Sequence, residues 1–345
     1  MTEKLKYMRL SFYTLLCSAL LAVSCDSVHE FPNENSYNPY LVNVELSIDI
    51  DMNMESDTIF QTYSEILASN YDIRYIVDIY EADPNLITGV SKRVKRIVKT
   101  ENSIIHNGIY QVEENLLLPA KHYKIIAWVD FITKGTKSDK YYNTDDLQTI
   151  SIISQQGGNK GYNTTKDAFA GNFDMDLSIY QNQRFIQCDV VVPVKRPFAV
   201  YRIITTDIEK YLAYHSETSY SSVAPTKTTL LYNLFFPMGY NAFLFLPDNF
   251  KTNIRYTHDV TEILPQKEAI LASDIVFVED NTFYSTSFEI ASASNVRINT
   301  INGLNINLKR NKLTIIRGEF LTKDFGGGSI GIDDGFDGSE IIINL

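Results

Sequence analysis

Four carboxylates gather near the end of this chain, in Asp333-Asp334-Gly335-Phe336-Asp337-Gly338-Ser339-Glu340. Hard cations such as Ca2+ favour clustered carboxylate oxygens on a flexible loop, so Asp333, Asp334, Asp337 and Glu340 are the candidate metal ligands. The spacing does not match an EF-hand loop, and an ordinary acidic turn before a last strand is the plainer reading. The histidines, His29, His106, His122, His215 and His258, are scattered without HxH or HExxH spacing and read as lone strand or surface residues. There is no GxSxG elbow and no CxxC pair, and Gly326-Gly327-Gly328 lacks the Lys-Ser/Thr that completes a phosphate loop. No nucleophile–base pair can be assembled, so no enzymatic activity is expected. Tyrosine is abundant at 22 residues. Aromatic faces stack on sugar rings, which makes Tyr141 and Tyr142, in a polar loop, candidate glycan-binding residues. Tyrosine is also a strong strand former, so most of the 22 need no such role.

Cys25 is a candidate for covalent modification. Lys4, Lys6 and Arg9, opposed only by Glu3, precede an uncharged apolar run from Leu10 to Val23. That run is short for a bilayer span and suits a signal-peptide core. It ends in Leu21-Ala22-Val23-Ser24-Cys25, which resembles the lipobox of bacterial lipoproteins, with Ala22 where leucine is usual. The resemblance implies cleavage before Cys25 and acylation of its thiol.

Charge narrows the partners. The chain carries 31 basic and 42 acidic residues, net −11; without residues 1–24, which hold three of the basic residues and one acid, the balance is 28 − 41 = −13. Nucleic acid and anionic lipid both call for basic patches, so neither is an expected electrostatic partner. Membrane attachment is expected to rest on the lipid alone. After cleavage Cys188 is the only other cysteine, so no intrachain disulfide is expected and the core must carry the fold.

The surrounding elements read as all-β with minor α. Residues 25–40 form a polar spacer with Pro32 and Pro39. From Leu41 to Ile50, Val42, Val44, Leu46, Ile48 and Ile50 alternate with polar partners, as a half-buried strand requires. Arg74–Tyr80 and Tyr123–Asp130 are denser in β-branched and aromatic residues and suit central strands, with Trp128 in the core. The basic run Ser91–Thr100 suits an edge strand, where lysines discourage edge-to-edge pairing. A short helix is expected over Thr62–Ser69. A second set of strands opens at Ile186–Val194, where Cys188 points inward, and continues through Phe198–Thr206, Thr229–Phe236, Ala242–Leu246, Ile275–Val278, Phe283–Ile290, Leu313–Phe320 and Glu340–Leu345. Asp207 is placed to cap a helix running to Tyr214. Many short strands with turns between them predict sandwiches, with domains at 41–180 and 181–345 after the signal peptide (1–24) and tether (25–40).

Several segments together carry a family resemblance: Arg74–Tyr80, Tyr123–Asp130, Tyr141-Tyr142-Asn143-Thr144, Lys166–Gly171, Arg196-Pro197-Phe198-Ala199 and Lys309–Gly318. This pattern resembles the fimbrillin-like lipoproteins of Bacteroidales, related to type V pilus subunits. The resemblance implies two tandem Greek-key, transthyretin-like β-sandwich domains, outer-membrane surface attachment, and a part in a pilus or in adhesion. Shaft pilins of this kind are trimmed by an arginine- or lysine-specific protease near the first strand, which opens a groove for a donor strand from another subunit. Here Lys and Arg are absent from Asp26 through Ile73. The expectation is an anchor or accessory subunit that keeps its lipid and its first strand. The alternative is a surface glycan-binding lipoprotein serving polysaccharide uptake.

Overall fold

The computed structural model describes residues 41–51, 66, 69–83, 85–86, 90–102, 109–155, 161–215, 223–263, 267–323 and 340–344. The first strands in chain order are β1 (Leu41–Ile50), β2 (Tyr71–Ala82), β3 (Val90–Glu101), β4 (Ile109–Pro119) and β5 (His122–Thr133). They are followed by β6 (Tyr142–Asn143), β7 (Ile150–Ile152), β8 (Ala168–Asp176), β9 (Gln187–Val194) and β10 (Phe198–Thr205). Helix α1 (Ile208–Tyr214) leads to β11 (Pro225–Tyr232), β12 (Phe236–Asn241), β13 (Leu246–Lys251), β14 (Arg255–Asp259) and β15 (Thr261–Ile263). The chain closes with β16 (Glu268–Phe277), β17 (Asn281–Ser292), β18 (Arg297–Lys309), β19 (Leu313–Gly318) and β20 (Glu340–Asn344).

One sandwich is built from the sheets β4-β1-β9 and β3-β2-β5-β8; a second is built from β15-β16-β10-β19-β20 and β14-β11-β17-β18. The two share a plan. In each, the opening strand runs antiparallel to one neighbour (β1 with β4, β10 with β16) and parallel to the other (β1 with β9, β10 with β19). The opposite sheets β3-β2-β5-β8 and β14-β11-β17-β18 also match in order and sense. The all-β sandwich expectation holds.

Three buried clusters separate the four large sheets. One fills the first sandwich and one the second. The third joins Ile76, Ile126 and Trp128 of the first sandwich to Phe198, Val200, Ile275 and Phe277 of the second. Sheets β3-β2-β5-β8 and β15-β16-β10-β19-β20 therefore lie back to back and bury both faces. This explains the two sequence patterns: β1 alternates because one face is covered, whereas β2, β5, β10 and β16 are near-continuous apolar runs because both are. A small sheet, β13-β12-β7-β6, takes two strands from each half and closes the junction, with Tyr240 opposite Ile150.

Several expectations need correction. The strand over Ile186–Val194 does not open the second sandwich: β9 lies parallel to β1, with Val44 opposite Cys188 and Ile50 opposite Val194, and completes the first. A division at 180/181 would cut that sheet. The segment Ala242–Leu246 is a turn for most of its length, because the Asn241 side-chain oxygen accepts from the amides of Phe243 and Leu244, both at 2.9 Å. Asp207 sits at the head of α1 but its carboxylate does not cap it. It accepts instead from the Thr322 amide and hydroxyl, both at 2.8 Å, and from Thr205 at 2.6 Å. The expected helix at Thr62–Ser69 falls largely outside the described residues.

Candidate functional site

The first candidate element is strand β1. β1 is central, bonded to β4 on one edge and β9 on the other, and Val42, Val44, Leu46 and Ile48 are buried in the first core. Cβ atoms alternate across a strand, so one face of β1 is committed to the core and a register slip would expose it. The first basic residue after Cys25 is Arg74, inside β2. It is 2% exposed and grips Asp130 with two nitrogens, Nε to Oδ1 at 2.9 Å and Nη2 to Oδ2 at 2.7 Å. Its Nη1 bonds Asp139 at 2.8 Å and the Lys137 carbonyl at 3.0 Å, which fixes the loop leading to β6. A protease needs an extended, accessible segment, and this arginine sits in a strand paired on both sides.

That loop delivers Tyr141 and Tyr142 to the junction between the sandwiches. Tyr142 is 1% exposed, edge-on to Trp128 at 5.3 Å, and its hydroxyl donates to the Lys166 carbonyl. Tyr141 is half-buried, with its hydroxyl 2.9 Å from Thr165 and 3.3 Å from Tyr71. The polar neighbours Asn143 and Thr144 suggest a surface loop; the covering surface is the second sandwich, which local sequence does not show. Tyr162 is likewise buried, its hydroxyl donating to Asp167 at 3.0 Å.

The segment Gly161–Asp167 of the first half reaches into the second and carries a cluster that the sequence reading missed. Lys166, nearly buried, donates from Nζ to the Gly161 carbonyl. Gly161 has φ +74°, and a Cβ there would lie 2.2 Å from the Ser273 carbonyl and 2.3 Å from His258 Nδ1. Next to Ser273, Asp274 accepts from its neighbour's amide, Ile275 N, at 2.9 Å and from the Tyr232 hydroxyl at 3.0 Å; Tyr232 in turn meets Tyr201 at 2.6 Å. Burial pushes Asp274 up to about 6 against the pull of Lys166. Burial, helped by the Lys166 charge, pushes His258 down to about 4, and burial also lowers Lys166. At pH 7 an anionic Asp274 and a neutral His258 thus share one pocket with Lys166. The cavity beside Lys166, lined by Tyr141, Tyr142 and Tyr256 among others, has a volume of about 20 Å3, room for water and not for a substrate. The arrangement holds the halves together.

A second bridge does the same. Arg196, in the linker, binds Asp167 from Nε (3.2 Å) and Nη2 (3.0 Å) and donates to Asn311 at 3.1 Å; Asn311 donates to Asp51 at 3.2 Å. The end of β1, the linker and the β18–β19 turn are thereby tied together. Of these groups only Asp274 carried a visible signal, a charge beside an apolar run, as Asp78 and Asp130 also do.

Cys25, Asp333, Asp334 and Asp337 lie outside the described residues; Glu340 opens β20, which pairs with β19. Among the described residues no group of three or more His, Cys, Asp or Glu could hold a metal ion, and no helix is long and apolar enough to cross a membrane.

Comparison with solved structures finds a protein described as a candidate polysaccharide binder (DUF1812) from Bacteroides thetaiotaomicron, 12% identical, covering 76% of this chain and 80% of its own, TM-score 0.43. It also finds the fimbrial anchor protein Mfa2 of Porphyromonas gingivalis, 8% identical, 75% and 82% covered, TM-score 0.37. A fimbrial assembly protein of Parabacteroides distasonis is 13% identical, with 80% and 90% covered and a TM-score of 0.38. No curated protein matches the chain. The model of DUF6562, a family of unknown function, matches residues 36–344, and the chain belongs to that family.

Proposed function

We propose that this chain is a non-enzymatic surface lipoprotein of the outer membrane, an anchor or accessory subunit of a pilus or adhesion structure that keeps the lipid on Cys25. The observation that carries the reading is the state of β1. The strand is sealed between β4 and β9, no Lys or Arg occurs between Cys25 and Arg74, and Arg74 is buried in a bidentate ion pair. A trypsin-like protease has no site at which to detach β1 and open a groove for a donor strand. The body stays joined to its lipid, as an anchor requires and a shaft subunit does not. The division into domains belongs to the same proposal, with the boundary at Lys195–Pro197, between β9 and β10. The glycan-binding alternative loses support, because Tyr142 is enclosed and Tyr141 is held by Thr165 and Tyr71. Deleting the gene and examining cells by electron microscopy tests the role. Filaments lost from the cell or shed into the medium are expected; unchanged number and attachment would contradict it.

A further inference from the structure

We propose that the end of the first sandwich where the N-terminal segment departs is a membrane-contact surface, with apolar side chains that enter the lipid layer beneath the headgroups. The proposal rests on the reading of Cys25 as the lipid attachment point.

The chain enters the fold at Leu41, and the local pairing fixes what surrounds that point. Asn43 donates its amide to the Ile186 carbonyl at 2.9 Å and lies opposite Leu117, so the start of β1 sits between the end of β4 and the start of β9. The Leu177 amide bonds the Lys121 carbonyl at 2.9 Å, which brings the turn Ser178–Tyr180 to the β4–β5 connection. Glu81 pairs with Tyr123, so the turn after β2 lies at the same end. Large apolar side chains project here from three segments: the β8–β9 connection, β4 and the turn after β2. Phe185 is 82% exposed, Ile179 64%, Leu117 59% and Leu86 44%.

Phe185 also adopts φ +58°, a left-handed backbone that bulky residues rarely take, which turns the ring outward at the base of β9. Charge does not drive the contact. The basic residues here, Lys121 and Arg184, are met by Glu81, Asp83 and Asp176, with Lys121 bonded to Glu81 at 2.7 Å, so no basic excess draws this end to anionic lipid. The driving force is apolar burial.

The spacer supplies the geometry. Residues 25–40 separate the candidate acyl thiol from Leu41; their polar sequence reads as a spacer, and a coil of sixteen residues averages roughly 20 Å from end to end. An acyl group held that close keeps this end near the bilayer at high effective concentration, so weak insertion is sufficient. On this proposal attachment has two devices, the acyl chains and the apolar rim around the tether's exit.

The test uses the full mature chain, residues 25–345, with Cys188→Ser so that Cys25 is the sole thiol. Cys25 is coupled to a maleimide phospholipid in phosphatidylethanolamine–phosphatidylglycerol vesicles with brominated acyl chains. An indole is added by Phe185→Trp or, separately, Ile179→Trp; Phe235→Trp, 66% exposed on the second sandwich, is the control. Native Trp128 is buried and stays dark to the quencher. The expected result is a blue shift and loss of about half the added emission for F185W and I179W, with F235W unchanged. Equal quenching at all three positions, or none at 179 and 185, would overturn the proposal. Coupling is chemical, so the outcome does not depend on whether cells acylate Cys25; metabolic palmitate labelling reports that separately.

Discussion

Replacing His258 by Gln and, separately, Asp274 by Asn should tilt the pH dependence of stability in opposite directions. Both groups are buried at the junction, His258 beside Gly161 and Asp274 beneath Tyr232. Burial raises Asp274 from 3.8 to about 6, so its contribution is present below pH 4 and is lost as pH rises through 6. Burial lowers His258 from 6.5 to about 4, so its contribution is present above pH 6.5 and is lost as pH falls through 4. At about 1.4 kcal/mol per pH unit, each displacement amounts to about 3 kcal/mol. The two windows overlap between pH 4 and 6 with opposite signs, so together they leave the wild-type curve nearly flat there. Relative to wild type, H258Q should gain about 3 kcal/mol as pH falls from 6.5 to 4, and D274N should gain about as much as pH rises from 4 to 6. Urea unfolding at constant ionic strength, followed by the emission of the single Trp128 in the core between the sandwiches, gives both profiles. Difference profiles that are flat, or that share one sign, would refute the placement of these groups in one buried pocket.

Other substitutions probe separate contacts. Arg74→Ala leaves Asp130 buried without its bidentate partner and should cost about 3–5 kcal/mol in urea unfolding. Gly161→Ala forces a Cβ against the Ser273 carbonyl at a positive φ and should cost about 3 kcal/mol, seen as early loss of Trp128 emission. Tyr142→Phe removes only the hydroxyl that donates to the Lys166 carbonyl and should cost about 1 kcal/mol, with the fold intact by circular dichroism. Trypsin should leave the Arg74–Tyr75 bond whole in the folded protein and cut it only in urea, as mass spectrometry of the fragments would show.

Strand type was readable where the environment is local. The alternation of β1 reports one covered face, and the dense runs at β2 and β5 report two. What local pattern could not carry was which strands meet. β9 was grouped with the strands that follow it, because a parallel pairing with β1 across some 140 residues leaves no mark on either segment. Tyr142 looked like a loop residue for the same reason: its cover comes from Phe277 and its neighbours on another sandwich. Asp274 stood out as a charge before Ile275-Val276-Phe277, but Lys166 lies between Thr165 and Asp167 and gave no such signal, and their meeting depends on how Gly161 lets one half enter the other. Asp207 was placed correctly at the helix start, but the turn at Leu321–Thr322 takes its carboxylate.

The retained tether is the central claim, and the N-terminus of the natural protein tests it most directly. Protein purified from the cell surface, unfolded and digested with trypsin, should yield one long peptide from Cys25 to Arg74, since no Lys or Arg interrupts it, with acyl mass on its first residue. A natural N-terminus at residue 45 or beyond, inside β1 or after it, would contradict the account.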